Sequence, residues 1–134
     1  MSHSRHLNED GILITSFSGV IPLQELIDLQ NELIKYACDK EIYELVIHPD
    51  DVKISQDSNE SLQSAENIAR VMKKFKKGAI AFVAKGDFIF GILRQLQIRV
   101  ENEFIQMSVF RTEETAMEWI KEIKLINNKN TGKN

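Results

Sequence analysis

The sequence predicts an α/β fold: a single-domain sandwich in which a mostly parallel, mixed sheet of four or five strands packs with about four helices. Short apolar or alternating runs are separated by longer stretches whose apolar residues recur every three or four positions. This pattern is typical of strands that alternate with amphipathic helices. Residues 79–84 are apolar throughout, as expected for a parallel strand that is covered on both faces.

The first part of the chain predicts a strand and a helix, and it leaves open whether an N-terminal hairpin forms. Residues 12–17 form a strand candidate, and the turn-like residues 8–11 before it can connect it to a short strand at residues 3–7. Pro22 is tolerated in the first turn of a helix. The apolar stripe that follows predicts a helix running to about Lys40; it consists of Leu23, Leu26, Ile27, Leu33, Ile34 and Ala37.

The middle of the chain predicts a strand at residues 43–48 and two further helices. The first of these helices ends at Gly78. Its apolar stripe consists of Leu62, Ala65, Ile68, Ala69, Met72 and Phe75. After the strand at residues 79–84, Asp87 can cap the next helix. The inner stripe of that helix consists of Ile89, Ile92, Leu93, Leu96 and Val100.

The last part predicts a strand at residues 105–110 and a closing helix after the N-cap candidate Thr112. Strands that alternate with helices imply right-handed crossovers and a mainly parallel sheet, which is mixed if the N-terminal hairpin forms. Residues 1–126 are expected to form one domain, because 134 residues suit a single core. The polar residues 127–134 are expected to be a disordered tail.

Two segments resemble the SpoIIAA-like branch of the STAS and SEC14 group of domains. In the first, the strand at residues 79–84 is followed by the turn Lys85-Gly86-Asp87 and by Phe-Ile-Phe-Gly-Ile-Leu-Arg. In the second, Val-Phe-Arg-Thr-Glu-Glu at residues 109–114 precedes an Ala and the pair Trp119-Ile120. The resemblance spans roughly residues 10–125, and it implies an α/β sandwich that usually has no catalytic activity.

The resemblance also implies a candidate phosphorylation site at Ser58. In the anti-sigma antagonist relatives, a Ser beside an Asp at the start of the second helix is phosphorylated, and this switches binding to a kinase partner. Residues 57–60 (Asp-Ser-Asn-Glu) occupy a similar place. Because Asn59 replaces the second small residue and no glycine follows, we expect Ser58 to cap the helix and not to act as a switch.

Composition argues against several classes of function. The net charge of -3 argues against nonspecific nucleic-acid binding, and a single cysteine excludes an intramolecular disulfide. No apolar run reaches the roughly 20 residues of a transmembrane span, and the first residues lack the apolar segment of a signal peptide. We therefore expect a cytoplasmic protein. No glycine-rich phosphate fingerprint is present, and no cofactor is expected.

A histidine and two acidic residues form a candidate metal or acid–base site. His48, Asp50 and Asp51 could bind a metal or exchange protons, but no cysteine or second histidine lies within ligand spacing. We expect no metal site and no catalytic residue here, and interpret His48 as solvated.

Four cations share a predicted helical face, where the helix dipole favours them; surface docking to an acidic partner or membrane is the less favoured interpretation. They are Arg70, Lys73, Lys74 and Lys77.

The helix that starts near Asp87 is the predicted contact element. Phe88 and Phe90 flank Gly91, which permits close approach of a ligand or a partner backbone. Leu93 lies on the inner stripe, and Arg94 adds a cation one turn beyond Phe90. An apolar groove with one charged rim suits an aliphatic or aromatic acid, or a partner helix.

The leading functional hypothesis is a non-enzymatic binding or regulatory module that contacts a protein or a small apolar ligand. The partner is a second copy in a homodimer or another, unidentified protein. The alternative is a small lipid- or metabolite-carrier domain, which requires a cavity lined by Phe88, Phe90 and Leu93. A third hypothesis is an enzyme that uses His48, Asp50 and Asp51.

Overall fold

A five-stranded sheet forms the centre of the molecule. The computed structural model describes residues 3–48, 58–100 and 103–130. The strands lie side by side in chain order: β1 (His3–Leu7), β2 (Leu13–Phe17), β3 (Glu41–His48), β4 (Lys77–Ala84) and β5 (Ile105–Phe110). β1 runs antiparallel to β2, and the other neighbouring strands are parallel. The predicted α/β class and mixed sheet are thus confirmed, and the N-terminal hairpin, which the sequence leaves open, forms from β1 and β2.

In the described residues, four α-helices cover the two faces of this sheet unequally. They are α1 (Leu23–Asn31), α2 (Ser58–Met72), α3 (Asp87–Val100) and α4 (Glu113–Asn130), and a short 3-10 helix (Glu32–Tyr36) follows α1. One apolar core joins the sheet to α1, α2 and α3, and a second core joins the opposite face to α4. Phe82 and Val83 are 8% and 2% exposed, which confirms that β4 is covered on both faces.

The first two helices are shorter than the apolar stripes predict. α1 ends at Asn31, and the chain continues as the 3-10 helix to Tyr36. Asp39 and Lys40 then turn the chain toward β3 with φ angles of 53° and 61°. α2 ends at Met72, and Gly78 lies inside β4. A Cβ atom at Gly78 would overlap the carbonyl oxygen of Ile42. Close approach of β3 therefore requires this glycine, which does not end a helix.

Because α2 ends early, at Met72, the four cations that were predicted to share one helical face lie in different parts of the fold. Arg70 lies in the last turn of α2, and Lys73 and Lys74 follow the helix. Lys77 lies in β4, where its Nζ donates to the carbonyl oxygen of Asn127. The prediction that Arg70, Lys73, Lys74 and Lys77 share one helical face is therefore wrong.

The closing helix continues beyond residue 126, where the sequence predicts a tail. α4 extends to Asn130, and the amide nitrogen of Asn127 donates to the hydroxyl of Tyr43 at 3.0 Å. This bond connects the last turns of α4 to β3, so residues 127–130 are helical. Residues 131–134 lie outside the described part of the chain. None of the helices in the described ranges is both long and apolar enough to cross a membrane.

Candidate functional site

A pocket of about 480 Å³ lies between the sheet and the helices α1, α2 and α3. Its floor comes from β2, β3 and β4, and its walls come from the inner faces of the three helices. Most of the lining is aliphatic or aromatic. It includes Phe17, Val46, Ile80 and Phe82 from the sheet, and Leu26, Ile68, Leu93 and Leu96 from the helices.

The alternation of β3 places two polar side chains on the floor of this pocket. Successive side chains of a strand point to opposite faces of the sheet. Glu44, Val46 and His48 therefore face the pocket, whereas Tyr43 and Leu45 pack in the core under α4. A carboxylate and an imidazole consequently lie on a face that is otherwise largely apolar.

Glu44 belongs to a buried ion pair with Arg5, built across three neighbouring strands. One guanidinium nitrogen of Arg5 donates to Oε2 of Glu44 at 3.0 Å, and Nε donates to the hydroxyl of Thr15 at 2.8 Å. The Thr15 hydroxyl donates to the same Oε2 at 2.7 Å. The other terminal nitrogen of Arg5 donates to the carbonyl oxygen of Leu29 at 2.9 Å. The three bonds that Arg5 donates fix its guanidinium at the edge of the pocket.

The carboxyl group of Glu44 combines burial with incomplete hydrogen bonding. The residue is 4% exposed. Burial raises its pKa, whereas the neighbouring Arg5 and the Thr15 hydroxyl act in the opposite direction. Both donors converge on Oε2, and no described residue donates to Oε1. The pocket therefore contains a carboxylate oxygen that can accept one more hydrogen bond.

His48 lies between two aromatic rings at the end of β3. Its ring centroid is 5.2 Å from that of Phe17 and 6.2 Å from that of Phe82. Burial lowers the pKa of His48 to about 4, although a hydrogen bond with the Val83 backbone opposes the shift. The imidazole is therefore neutral at pH 7, and its Nδ1 atom has no hydrogen-bond partner in the described part of the chain. The sequence-based interpretation of His48 as a solvated residue is wrong.

The pocket opens to solvent along α3. Phe88, Gln95 and Arg99 line the pocket, belong to α3 and are exposed. Phe88 is the most apolar of the three, with 60% of its surface exposed. Leu93, on the inner face of the same helix, is buried. One side of α3 thus closes the pocket while its flank forms the rim of the opening.

The structure brings two of the predicted contact residues, Phe88 and Leu93, to this pocket. Phe90 is half-buried elsewhere, and the guanidinium of Arg111 lies 3.9 Å from the centre of its ring. Gly91 is exposed, and apart from its chain neighbours and the nearby backbone of its own helix no described atom lies within 4 Å of the position of a Cβ there. Arg94 is also exposed and does not line the pocket. A partner contact through Phe90, Gly91 and Arg94 stays a prediction.

Other predicted candidates fall outside the described residues. Asp50 and Asp51 do so entirely, so the proposed cluster with His48 stays a prediction. Ser58 is the first residue of α2, but its side chain lies outside the described part. Within residues 3–48, 58–100 and 103–130, no group of three or more His, Cys, Asp or Glu side chains is arranged to hold a metal ion.

Sequence reasoning missed Arg5, Thr15 and the role of Glu44. The available signal was Glu44 itself, a charged residue inside a strand whose neighbours are apolar. Glutamate is almost never fully buried unless it is paired, so its position required a cationic partner. The partner could not be named from sequence because Arg5 and Glu44 are 39 residues apart.

Fold and site together define a mixed-sheet α/β domain with a mostly apolar pocket between the sheet and the helices and a buried ion pair at the floor of this pocket. No protein-family model and no curated protein matches this chain.

Proposed function

We propose that this protein is a non-enzymatic binding module for a small, largely apolar molecule, held in the pocket between the sheet and α1, α2 and α3. The observation that carries the proposal is the pocket of about 480 Å³. Pockets that bury small molecules have volumes of about 300–1,000 Å³ and are lined mostly by apolar side chains with a few polar groups. Membership of the SpoIIAA-like branch stays a prediction.

The lining of the pocket is significant because the pocket opens along α3 and leaves apolar side chains of the sheet and the helices facing it. Apolar surface that faces water is unfavourable, and covering it with another apolar group is favourable. An apolar cavity also gives water few hydrogen-bond partners. A ligand with apolar surface would restore contacts along β3, β4 and α3. The space is therefore suited to an apolar occupant.

The polar groups of the pocket support binding over catalysis. Arg5 and Thr15 donate to acceptors within the protein, so their positions are fixed. His48 is neutral and tightly packed between Phe17 and Phe82. A nucleophile held by a base, which covalent catalysis requires, is not among the groups that line the described pocket. These features favour recognition of a ligand without its chemical conversion.

The test uses Nile red, an uncharged dye that becomes fluorescent in apolar surroundings. We expect saturable binding of one dye molecule per chain. Ala65 lines the pocket on α2, so Ala65→Phe should fill part of the volume and weaken dye binding at least about tenfold, the equivalent of 1.4 kcal/mol. Gln63→Phe is the matched control, because it adds the same ring to an exposed position of α2.

Two results would contradict the proposal. The first is the absence of saturable dye binding to the folded wild-type protein. The second is equal binding by wild type, Ala65→Phe and Gln63→Phe, since the dye would then occupy some other surface. Circular dichroism of each variant shows whether the fold is retained.

A carrier role is the second candidate, and the exposed rim residue Phe88 favours it. A large apolar side chain at the pocket opening gives a ligand an apolar path between the pocket and a lipid surface. A carrier should accelerate the transfer of Nile red between phosphatidylcholine vesicles, and Phe88→Ser should slow this transfer more than it weakens equilibrium binding. If transfer is no faster with the protein than without it, the carrier role is excluded and the binding module remains.

A further inference from the structure

We infer that the molecule held in this pocket is uncharged and carries a hydroxyl group, which donates a hydrogen bond to Oε1 of Glu44. This inference rests on the proposed function and specifies the chemical class of the ligand. It depends on three features of the pocket: its charge balance, the unused acceptor on Glu44 and the position of the exposed cations.

The charges at the floor of the pocket already balance. Arg5 and Glu44 form an ion pair with an N–O distance of 3.0 Å, and their side chains are only 7% and 5% exposed. A ligand carboxylate placed here would add a second negative charge to a pair that is already neutral. An uncompensated charge is strongly unfavourable where burial removes its hydration. The floor therefore selects against an ionised acid.

The rest of the described pocket lining also carries no net charge. The remaining charged residues that line the pocket in the described part of the chain are Glu60 and Arg99, one of each sign. Arg94, the cation that the sequence places in the groove, is exposed and does not line the pocket. An aliphatic or aromatic acid, expected from Arg94 at the sequence level, therefore finds no unpaired cation at the floor.

The hydrogen bonds of Glu44 specify which uncharged group fits best. Oε2 accepts from both Arg5 and Thr15, and Oε1 receives no bond from any described residue. A carboxylate can only accept hydrogen bonds, so the complementary group must be a donor. A hydroxyl donates and remains uncharged. An ether or an ester has no O–H and leaves Oε1 without a partner.

The test is displacement of Nile red from the wild-type protein at pH 7 by three probes with the same alkyl chain: decanol, decanoate and the methyl ether of decanol. Decanol should displace the dye at a concentration at least about tenfold lower than decanoate, because only decanoate brings an uncompensated charge. The ether should be weaker than decanol, because it cannot donate to Glu44.

Glu44→Gln provides the decisive variant. It keeps the shape and an acceptor oxygen for Arg5 but removes the negative charge, so Arg5 becomes an unpaired cation. We expect decanoate to gain at least about tenfold relative to decanol. Glu41→Gln is the matched control, since Glu41 lies on the same strand and does not line the pocket; it should keep the wild-type preference.

The outcomes separate this inference from the proposed function. If the dye binds the wild type but decanoate displaces it as well as decanol does, the inference is overturned and the binding pocket stands. The same holds if no probe displaces a dye that Ala65→Phe shows to be in the pocket. If the dye does not bind at all, the proposed function itself fails. Should Glu44→Gln not fold, the wild-type comparison of the three probes still decides the inference.

Discussion

The burial of His48 should make the stability of this protein depend on pH in a way that one substitution can isolate. Burial lowers the pKa of His48 from 6.5 to about 4. The folded pKa is below the unfolded one, so the contribution is fully present above pH 6.5 and is lost as the pH falls toward 4. A shift of this size corresponds to about 3 kcal/mol in the free energy of unfolding.

The informative substitution is His48→Phe, which keeps a ring between Phe17 and Phe82 and removes the titration. Urea unfolding, followed by circular dichroism, gives the free energy of unfolding at pH 7 and at pH 4. Between these two pH values, the wild type should lose about 3 kcal/mol more than His48→Phe does.

If the free energy of unfolding falls equally in the wild type and in His48→Phe between pH 7 and pH 4, the predicted effect of His48 burial is wrong. This result would mean that His48 can be protonated in the folded protein without cost, and hence that its ring is not enclosed between Phe17 and Phe82. The raised pKa of Glu44 does not affect the comparison, because its titration is common to both proteins. A second variant, His48→Gln, shows whether the result depends on the introduced aromatic ring.

Three further predictions concern the fold, and urea unfolding at pH 7 measures each. Gly91→Ala should raise the free energy of unfolding by up to about 1 kcal/mol, since a Cβ there meets open space on a helix; a decrease would show that the position is crowded. Gly78→Ala should lower it by about 2 kcal/mol or more, because the methyl group would overlap the Ile42 carbonyl. Arg5→Met should lower it by about 3 kcal/mol or more, since Glu44 is left as an unpaired buried charge. Adding Glu44→Leu should recover most of that loss, and no recovery would show that the two side chains are not coupled.

The sequence predicts the elements best where local signals agree with the packing. Asp87 at the start of α3 and the bounds of β5 (Ile105–Phe110) both appear in the structure where the sequence places them. The turn between the 3-10 helix and β3 was not predictable, because it uses left-handed conformations at Asp39 and Lys40. Neither residue is glycine, so the usual local signal for such a turn is absent.

The site was less predictable than the fold because it is built from distant parts of the chain. Helical periodicity places Leu93 on the inner face of α3, and this residue does line the pocket. Periodicity does not show that the neighbouring helices leave space open above the sheet. It also does not show that Arg5, on the antiparallel edge strand, reaches across Thr15 to Glu44. Both features depend on tertiary packing.

The most direct test of the binding pocket is a methyl NMR titration of the wild-type protein with Nile red. The two faces of the sheet provide internal controls, because each has its own apolar core. We expect saturable shifts in the methyl resonances of Ile80 and Leu93, which line the pocket. The methyl resonances of Ile12 and Ile120, in the core under α4, should stay unchanged. Shifts confined to the α4 face, or no saturable shifts at Ile80 and Leu93, would contradict binding in this pocket.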